Sequence, residues 1–256
     1  MNEIPVWQSR TELLIKEENV EKLHNAHVLV AGLGGVGGMA AEMLCRAGVG
    51  NMTILDGDKV QSSNRNRQLL ALSSTENKEK TQVMADRLLD INPKLNLHIV
   101  SKFTSNQTTI DLLNHPYDYV LDAIDTLSPK IYLLFHAVQM KHKVVSSMGA
   151  GGKFDPLQLQ VCDISETHTC TLAFDIRKRL RKLGVSNGIK AVFSPEVVPV
   201  DSRVLVDGER NKKSMVGTIS YMPAVFGCVC ASVVIRDLIE VPNSKFQYPN
   251  FKREKQ

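Results

Sequence analysis

Candidate functional residues lie in the segment 56–80 and directly after an apolar stretch that ends at residue 122. They are Asp56, Asp58, Ser63, Asn64, Arg67, Gln68, Lys80, Asp122 and Asp125. When a carboxylate attacks the α-phosphate of ATP, negative charge builds on the phosphate oxygens, and arginine and lysine stabilise that charge. A carboxylate can also hold Mg²⁺ that bridges the phosphates. Hydride transfer has little use for such cations, so these residues favour a nucleotide that is consumed as a substrate.

The glycine turn after the first apolar run indicates a site for a phosphorylated ligand. Residues 28–31 are apolar, and Gly32, Gly34, Gly35 and Gly37 follow them. In the G-x-G-x-x-G pattern the first glycine permits a tight turn, the second lets backbone approach the ligand, and the third allows close helix–strand packing. The N-terminus of the following helix faces the phosphates. The motif alone does not separate a nucleotide substrate from a dinucleotide cofactor, so a dehydrogenase is one alternative.

Apolar strands alternate with helical segments between residues 27 and 147, and this order positions the polar residues. The predicted strands are 27–31, 52–55, 97–100, 117–122 and 143–147, and the predicted helices are 36–47, 78–90 and 129–141. Such alternation indicates a parallel sheet with helices on both faces. Ligands bind beyond the carboxyl ends of the strands in these sheets, where the polar residues are expected.

The second half of the chain has a different pattern. Its predicted parts are a glycine-rich junction at 149–152, a strand at 157–161, a basic helix at 173–183, a mobile crossover at 184–220 and a buried apolar helix at 223–239. The predicted fold class is therefore α/β. We expect a Rossmann-like three-layer sheet, parallel in the N-terminal half, with added antiparallel strands in the C-terminal half.

Composition excludes several classes of protein. The 256 residues are 43% hydrophobic and 23% charged, as in a soluble globular protein. No apolar run reaches the roughly 20 residues that cross a bilayer, and the N-terminus lacks the pattern of a signal peptide. We therefore expect a cytoplasmic protein without a membrane partner. The five cysteines form no Cys-x-x-Cys pair, which argues against a disulfide framework or a cysteine-rich zinc site.

Basic residues concentrate in the second half, although the net charge is only +4. The clusters contain Arg177, Lys178, Arg179, Arg181 and Lys182, then Lys212 and Lys213, and finally Lys252, Arg253 and Lys255. One interpretation is a solvated helix face, a loop and a frayed tail. The alternative is a surface that binds a polyanion.

The motifs of the first half together resemble the ubiquitin-activating-type adenylating family. They are Gly-x-Gly-Gly-Val-Gly at 32–37, Leu-Asp-Gly-Asp at 55–58, Ser-Asn-x-x-Arg-Gln at 63–68, Lys80 and Ile-Asn-Pro at 91–93. The resemblance implies that Asp56 binds the ATP ribose. It also implies that Asn64, Arg67 and Lys80 contact the phosphates and that Asp125 holds Mg²⁺.

The resemblance further implies a homodimer. Arg10 stands where family members carry an arginine that reaches the ATP of the partner subunit, as an arginine finger does, and Lys16 stands where a glycine is common. The expected catalytic residues are Arg67, Lys80, Asp125 and Arg10. The whole chain, 1–256, is expected to form a single adenylating domain. Its parts would be a helical arm (1–25), an ATP-binding half (26–150), a substrate and dimer half (151–245) containing the crossover, and a basic tail (246–256).

The second half resembles the tRNA threonylcarbamoyladenosine dehydratase branch of this family. The matching stretches are Asp-Ala-Ile-Asp at 122–125, the loop at 149–156, the basic helix at 177–182, Val-Phe-Ser-Pro-Glu at 192–196 and Met-Pro-Ala-Val-Phe-Gly at 222–227. The resemblance implies ATP-dependent dehydration of N6-threonylcarbamoyladenosine in tRNA, through adenylation of its threonyl carboxylate. The basic clusters would then bind tRNA.

Two positions depart from the branch, and two other functions stay open. Ala191 stands where some members have cysteine, and Ser147-Met148 replaces a frequent glycine pair beside a loop that would bind a monovalent cation. Relatives are also associated with cysteine desulfurase systems. One alternative is adenylation of the C-terminal glycine of a ubiquitin-like sulfur carrier, although such enzymes usually carry two Cys-x-x-Cys pairs and several have a crossover cysteine. The other is a nucleotide-dependent scaffold protein without catalysis.

Overall fold

The computed structural model describes residues 4–103, 105–205 and 214–241, in which helices and strands alternate. The helices are α1 (Ser9–Ile15), α2 (Glu17–Asn25), α3 (Gly37–Ala47), α4 (Lys80–Ile91), α5 (Asn106–Leu113), α6 (Leu127–Gln139), α7 (Thr171–Lys182) and α8 (Tyr221–Leu238). The strands are β1 (His27–Ala31), β2 (Asn51–Leu55), β3 (Asn96–Val100), β4 (Tyr119–Asp122), β5 (Val144–Ser147), β6 (Gln160–Asp163), β7 (Lys190–Phe193), β8 (Arg203–Leu205) and β9 (Ser214–Val216). The elements predicted between residues 27 and 147 are confirmed to within two residues at each end.

Seven strands form one sheet in the order β3-β2-β1-β4-β5-β7-β6. Neighbouring strands are parallel except β6, which runs antiparallel to β7. This arrangement confirms the predicted α/β class with an antiparallel addition in the second half. The strand order reverses beside β1, because β2 and β3 lie on one side of it and β4 lies on the other. Open α/β sheets bind ligands in the crevice at such a point.

Apolar side chains cover both faces of the sheet. One core includes Leu44, Met84 and Phe226 from α3, α4 and α8, and the other includes Leu134 and Leu180 from α6 and α7. Full burial of one such side chain contributes about 1.5–3 kcal/mol relative to exposure. Since both faces of the sheet are buried, β1 and β4 are apolar almost throughout and do not alternate.

Helix α8 is the one helix of the described residues that is long and apolar enough to cross a bilayer, with a mean hydropathy of 1.5. It packs against α3 in this structure. A Cβ at Gly227 would lie 2.4 Å from the carbonyl oxygen of Val36, and Phe226 and Val234 are fully buried. The helix therefore has the placement predicted for residues 223–239, inside the protein core.

Three expectations need correction. The segment 184–220 is not wholly a crossover, because β7 is an interior strand between β5 and β6. The predicted strand at 157–161 starts later, since Pro156–Gln158 forms a 3₁₀ turn before β6. The helical arm consists of two helices that break at Lys16. Helix α5 has no counterpart in the sequence prediction.

Candidate nucleotide and substrate site

The glycine turn joins β1 to α3 in a conformation that side chains would prevent. Gly32 has a φ of +89°, and a Cβ at Gly37 would lie 1.7 Å from the Gly32 carbonyl oxygen. Helix α3 therefore packs directly on the turn. A Cβ at Gly34 would meet only one atom within 4 Å, the side-chain nitrogen of Gln68 at 3.8 Å. The backbone at Gly34 has the space that an approaching phosphate requires.

Asp56 directly follows β2 and holds the glycine turn in place. Its Oδ2 accepts the backbone N–H of Leu33 at 2.7 Å, and its Oδ1 accepts that of Asp58 at 2.8 Å. Burial raises the pKa of the Asp56 carboxyl, while the charge of Lys80 and these two hydrogen bonds act in the opposite direction. Each carboxylate oxygen keeps a further lone pair, so Asp56 can still accept a ribose hydroxyl.

The turn that contains Arg67 lies against the glycine turn. The Arg67 carbonyl oxygen would lie 3.0 Å from a Cβ at Gly35. Nη1 of Arg67 donates to the Ser63 carbonyl at 3.0 Å and to Oδ1 of Asn66 at 2.8 Å. These bonds fix a half-buried guanidinium at the carboxyl edge of the sheet and leave its other N–H donors available.

Asn64 and Gln68 are the buried amides of the same turn. Oδ1 of Asn64 accepts the backbone N–H of Gln61 at 3.2 Å and so closes the turn. Gln68 faces Gly34, and its buried Oε1 has no hydrogen-bond partner among the residues described. Because an unsatisfied buried oxygen costs about 1–3 kcal/mol, Gln68 is suited to accept a hydrogen bond from a ligand.

Lys80 and Asp58 place opposite charges beside Asp56. The Lys80 Nζ lies 3.1 Å from Oδ2 of Asp58, and the backbone N–H of Lys80 donates to the Asp58 carbonyl at 3.1 Å. The lysine side chain is 7% exposed and the aspartate side chain is 52% exposed. The ammonium is thus held at the start of α4 by a partner that solvent or a ligand can reach.

Asp122 pairs with buried groups in this structure, and its expected contact with the nucleotide stays a prediction. It is fully buried, with Oδ2 2.6 Å from Nζ of the equally buried Lys130. The same oxygen accepts the Ser146 hydroxyl at 2.6 Å, and Oδ1 accepts the Ile124 N–H at 3.1 Å. Sequence reasoning missed Lys130 and Ser146. A lysine within the apolar run of α6 was the available signal.

Asp125 is the exposed carboxylate of the loop that Asp122 supports. This loop touches the glycine turn, since a Cβ at Gly32 would lie 2.8 Å from the Ala123 carbonyl oxygen. Lys130 also donates to the Ile124 carbonyl at 3.0 Å. The buried ion pair therefore sets the path of the loop that carries Asp125 along the carboxyl edge.

Arg10 lies on the exposed surface of α1. The helix ends at Lys16, which has φ +73° and ψ 158°, a region that is essentially restricted to glycine. The carbonyl of Lys16 accepts the N–H of Val20 at 3.1 Å and so starts α2. Helix α1 also exposes Leu13 and Leu14, which are 76% and 80% exposed.

Residues from α8 and from the segment before it close the site on the side of β4 and β5. A Cβ at Gly35 would lie 2.8 Å from Cβ of Pro223, near the start of α8. Nδ2 of Asn66 donates to the Thr218 carbonyl at 3.0 Å. The second half of the chain therefore touches both the glycine turn and the Arg67 turn.

A buried lysine and a glutamate join the loop after β5 to the loop after β7. Nζ of Lys153, which is 2% exposed, donates to the Ser194 and Glu196 carbonyls. The Glu196 carboxylate accepts the N–H groups of Phe154 and Asp155 at 3.0 and 3.1 Å. Burial lowers the pKa of Lys153. Burial opposes ionisation of Glu196, but its hydrogen bonds outweigh burial and lower its pKa.

This pair was not predicted from the sequence, which marked residues 149–156 and 192–196 only by resemblance. The signal available was a lysine directly after a glycine cluster. The Lys153 ammonium lies among backbone carbonyl oxygens, which are the ligands that a bound monovalent cation would have.

The basic helix predicted at 173–183 is α7, and most of its cations are exposed. Arg177 is half-buried and donates to the Thr167 hydroxyl. The exposed cations are Lys178, Arg179, Arg181 and Lys182. Lys212, Lys213 and the basic tail lie outside the described residues.

Within the described ranges no three His, Cys, Asp or Glu side chains gather as a protein metal site requires. All five cysteines are free thiols, and Cys228 is the exposed one.

Comparison with known proteins shows similarity over both halves of the chain. The sequence model of the ThiF family matches residues 8–254. The tRNA threonylcarbamoyladenosine dehydratase of Bacillus subtilis is 38% identical over 239 residues, which is 91% of this chain and 94% of that protein. The crystal structure of the Escherichia coli tRNA N6-threonylcarbamoyladenosine dehydratase in complex with ATP has a TM-score of 0.84 at 33% identity, over 93% of this chain and 96% of that one. The molybdopterin-synthase adenylyltransferase of Haemophilus influenzae is 34% identical over only 49% of this chain and 51% of its own length.

Proposed function

The chain belongs to the ThiF family, and on that premise we propose that it is an ATP-dependent enzyme that dehydrates N6-threonylcarbamoyladenosine in tRNA. One observation carries the proposal: similarity to the dehydratases extends through the second half, whereas similarity to the sulfur-carrier adenylyltransferase covers about half of the chain. The loops that close the site come from that second half. Adenylation of a ubiquitin-like carrier is therefore the weaker reading.

In this proposal ATP lies along the carboxyl edge between β2 and β4. The ribose hydroxyls bind Asp56, whose oxygens keep lone pairs, and Gln68 accepts a further hydrogen bond. The triphosphate lies over the glycine turn, where Asn64, Arg67 and Lys80 surround it with donors. Ser63 and Asp58 fix the Arg67 and Lys80 side chains. Since both cations are held before ATP binds, they stabilise charge that develops at the phosphates without reorganisation.

The donor set also fits Mg²⁺, which usually takes one or two protein carboxylates together with substrate phosphates and water. Asp125 is exposed on the loop beside the glycine turn and would hold the ion. When bound, Mg²⁺ would neutralise phosphate charge. Asp122 contributes indirectly, because its pair with Lys130 positions this loop.

The chemistry proceeds in two steps. The threonyl carboxylate attacks the α-phosphate of ATP and releases pyrophosphate, which gives an acyl adenylate. The carbamoyl group of the same nucleoside then attacks the activated carbonyl, loses a proton, closes a ring and releases AMP. Water is lost overall. The nucleophile of the second step is part of the substrate and is already close to its target, so no enzyme cysteine is needed.

The remaining partners belong to the same proposal. The exposed cations of α7 would contact tRNA phosphates, which supply affinity that depends little on sequence. Lys212 and Lys213 would extend this surface. The exposed side chains of Leu13 and Leu14 support a homodimer. Arg10, on the same helix, would reach the partner's ATP. The cytosol, where tRNA is modified, is the proposed location, and a cysteine desulfurase partner stays a prediction.

The experiment measures AMP and pyrophosphate release with tRNA that carries the modified nucleoside, with unmodified tRNA and with a ubiquitin-like carrier. We expect release only with the modified tRNA, and the nucleoside should lose the mass of water. Arg67→Ala and Lys80→Ala should each lower turnover by about 100- to 1,000-fold. Arg65→Ala is the matched control, because Arg65 lies in the same turn but pairs with Glu76. Pyrophosphate exchange driven by the carrier alone would contradict the proposal.

A further inference from the structure

We propose that Phe154 and Tyr221 form a stacking platform for the purine of the modified nucleoside, an inference that rests on the proposed function. Both rings are open to solvent, with Phe154 60% exposed and Tyr221 42% exposed. The Tyr221 hydroxyl donates to the Phe154 carbonyl at 2.7 Å. An aromatic residue of the loop after β5 and one at the start of α8 are thus joined at the surface.

The platform lies close to the proposed reaction centre. Tyr221 begins α8, and Pro223 two residues later contacts Gly35 of the glycine turn. Thr218, three residues before Tyr221, accepts a hydrogen bond from Nδ2 of Asn66 in the turn that carries Arg67, so the chain touches the proposed site on both sides of Tyr221. In the substrate, four covalent bonds separate the purine N6 from the threonyl carboxyl carbon. At about 1.3–1.5 Å each, they span roughly 5 Å, so the proposal requires the stacked purine to lie within about that distance of the α-phosphate.

Hydrogen bonds to the loop after β7 fix the loop that carries Phe154. Glu196 accepts the N–H groups of Phe154 and Asp155, and the buried Lys153 binds the Ser194 and Glu196 carbonyls. Glu196 also accepts the Ser194 hydroxyl at 3.0 Å. Holding a loop with a buried lysine and a glutamate costs free energy of desolvation. A role for the exposed Phe154 ring would account for that cost. Such anchoring keeps the ring in place and lowers the entropy lost when a ligand stacks on it.

The surrounding charge favours RNA over a protein as the occupant. The loop after β5 reaches α7, since a Cβ at Gly149 would lie 4.0 Å from Cβ of Leu172. The exposed cations at 178–182 follow Leu172 by about 9–15 Å along the helix. The loop that carries Phe154 therefore begins beside the helix that carries these cations. Single-stranded RNA is commonly bound by aromatic side chains under its bases with basic residues along its backbone.

The test measures binding of an anticodon stem–loop RNA with 2-aminopurine at the target position, whose fluorescence is quenched by stacking. Phe154→Leu removes the ring and keeps an apolar side chain, and we expect quenching to vanish and the dissociation constant to rise about 5- to 100-fold. Phe154→Tyr should behave like the wild type. Phe174→Leu is the matched control, because Phe174 is an exposed ring on α7. Affinity for ATP should be unchanged in all variants.

The platform would be overturned if the Phe154→Leu variant quenched the probe as strongly as the wild type does. It would also be overturned if the substitution changed only the association state of the protein. The two proposals fail separately. Wild-type protein that quenches the probe but releases no AMP with modified tRNA would refute the proposed function and leave a base-binding platform. Normal AMP release with unaltered probe binding by Phe154→Leu would refute the platform alone.

Discussion

Replacement of Lys16 by glycine should stabilise the protein by about 1 kcal/mol. Lys16 joins α1 to α2 at φ +73° and ψ 158°, and a non-glycine residue in this region costs about 1–3 kcal/mol. Glycine removes that cost but adds about 0.5–1 kcal/mol of chain entropy in the unfolded state. The side chain offers little in return, because its one hydrogen bond, from Nζ to the Leu13 carbonyl, is exposed and 3.4 Å long.

Equilibrium unfolding in urea would measure the change, with Lys16→Ala as the matched control. Alanine keeps the Cβ and therefore the strain, so Lys16→Ala should stay within about 0.5 kcal/mol of the wild type. The melting temperature of Lys16→Gly should rise by about 2–4 °C per kcal/mol for a chain of this size. If Lys16→Gly unfolds at the same or a lower urea concentration than Lys16→Ala, the strain argument is wrong.

Two further predictions concern the Lys130–Asp122 pair and the Glu196 carboxylate. Lys130→Met should lower the free energy of unfolding by about 3–5 kcal/mol, because Asp122 would stay buried without its partner. In urea unfolding, adding Asp122→Asn to that variant should restore part of the loss, and a single variant as stable as the wild type would contradict the role of the pair. Glu196→Gln should reduce the acid sensitivity of the protein. The pKa of Glu196 is lowered on folding, so its contribution is complete above its unfolded pKa and disappears as the pH falls through its folded pKa. Unfolding free energies measured from about pH 7 down to pH 3 should fall less for the variant, and identical pH profiles would refute the assignment.

The first half of the fold was predictable because its signals are local. The apolar run before Gly32 and the glycines themselves determine β1, the turn and α3 without information from distant residues. The local pattern did not indicate strand β7, for the opposite reason. Lys190–Phe193 is short and lies in a polar segment, and its strand character depends on pairing with β5 and β6. Pairing of this kind is set by tertiary context, which overrides local propensity.

The candidate site was likewise predictable only where its signals are local. Residue type and spacing brought Asp56, Arg67 and Lys80 together on one edge, and the structure places them there. Spacing could not separate Asp122 from Asp125, since the first is the last residue of β4 and the second comes three residues later. Their difference in burial accompanies the ion pair with Lys130 of α6, which holds the fully buried Asp122. The platform residues escaped notice because their proximity depends on the loops after β5 and β7 meeting the start of α8.

The order of strands in the sheet has a consequence for folding during synthesis. Strand β6 is made before β7, yet in the sheet it pairs only with β7. During synthesis from the N-terminus, β6 therefore has no neighbour until β7 has left the ribosome, and β5 waits for the same strand to cover its open side. Contacts between distant segments form late because loop closure costs entropy. The loops that hold Phe154, together with the start of α8, should be the last parts of the site to assemble, so a nascent chain forms its glycine turn before the surface proposed to bind the nucleoside.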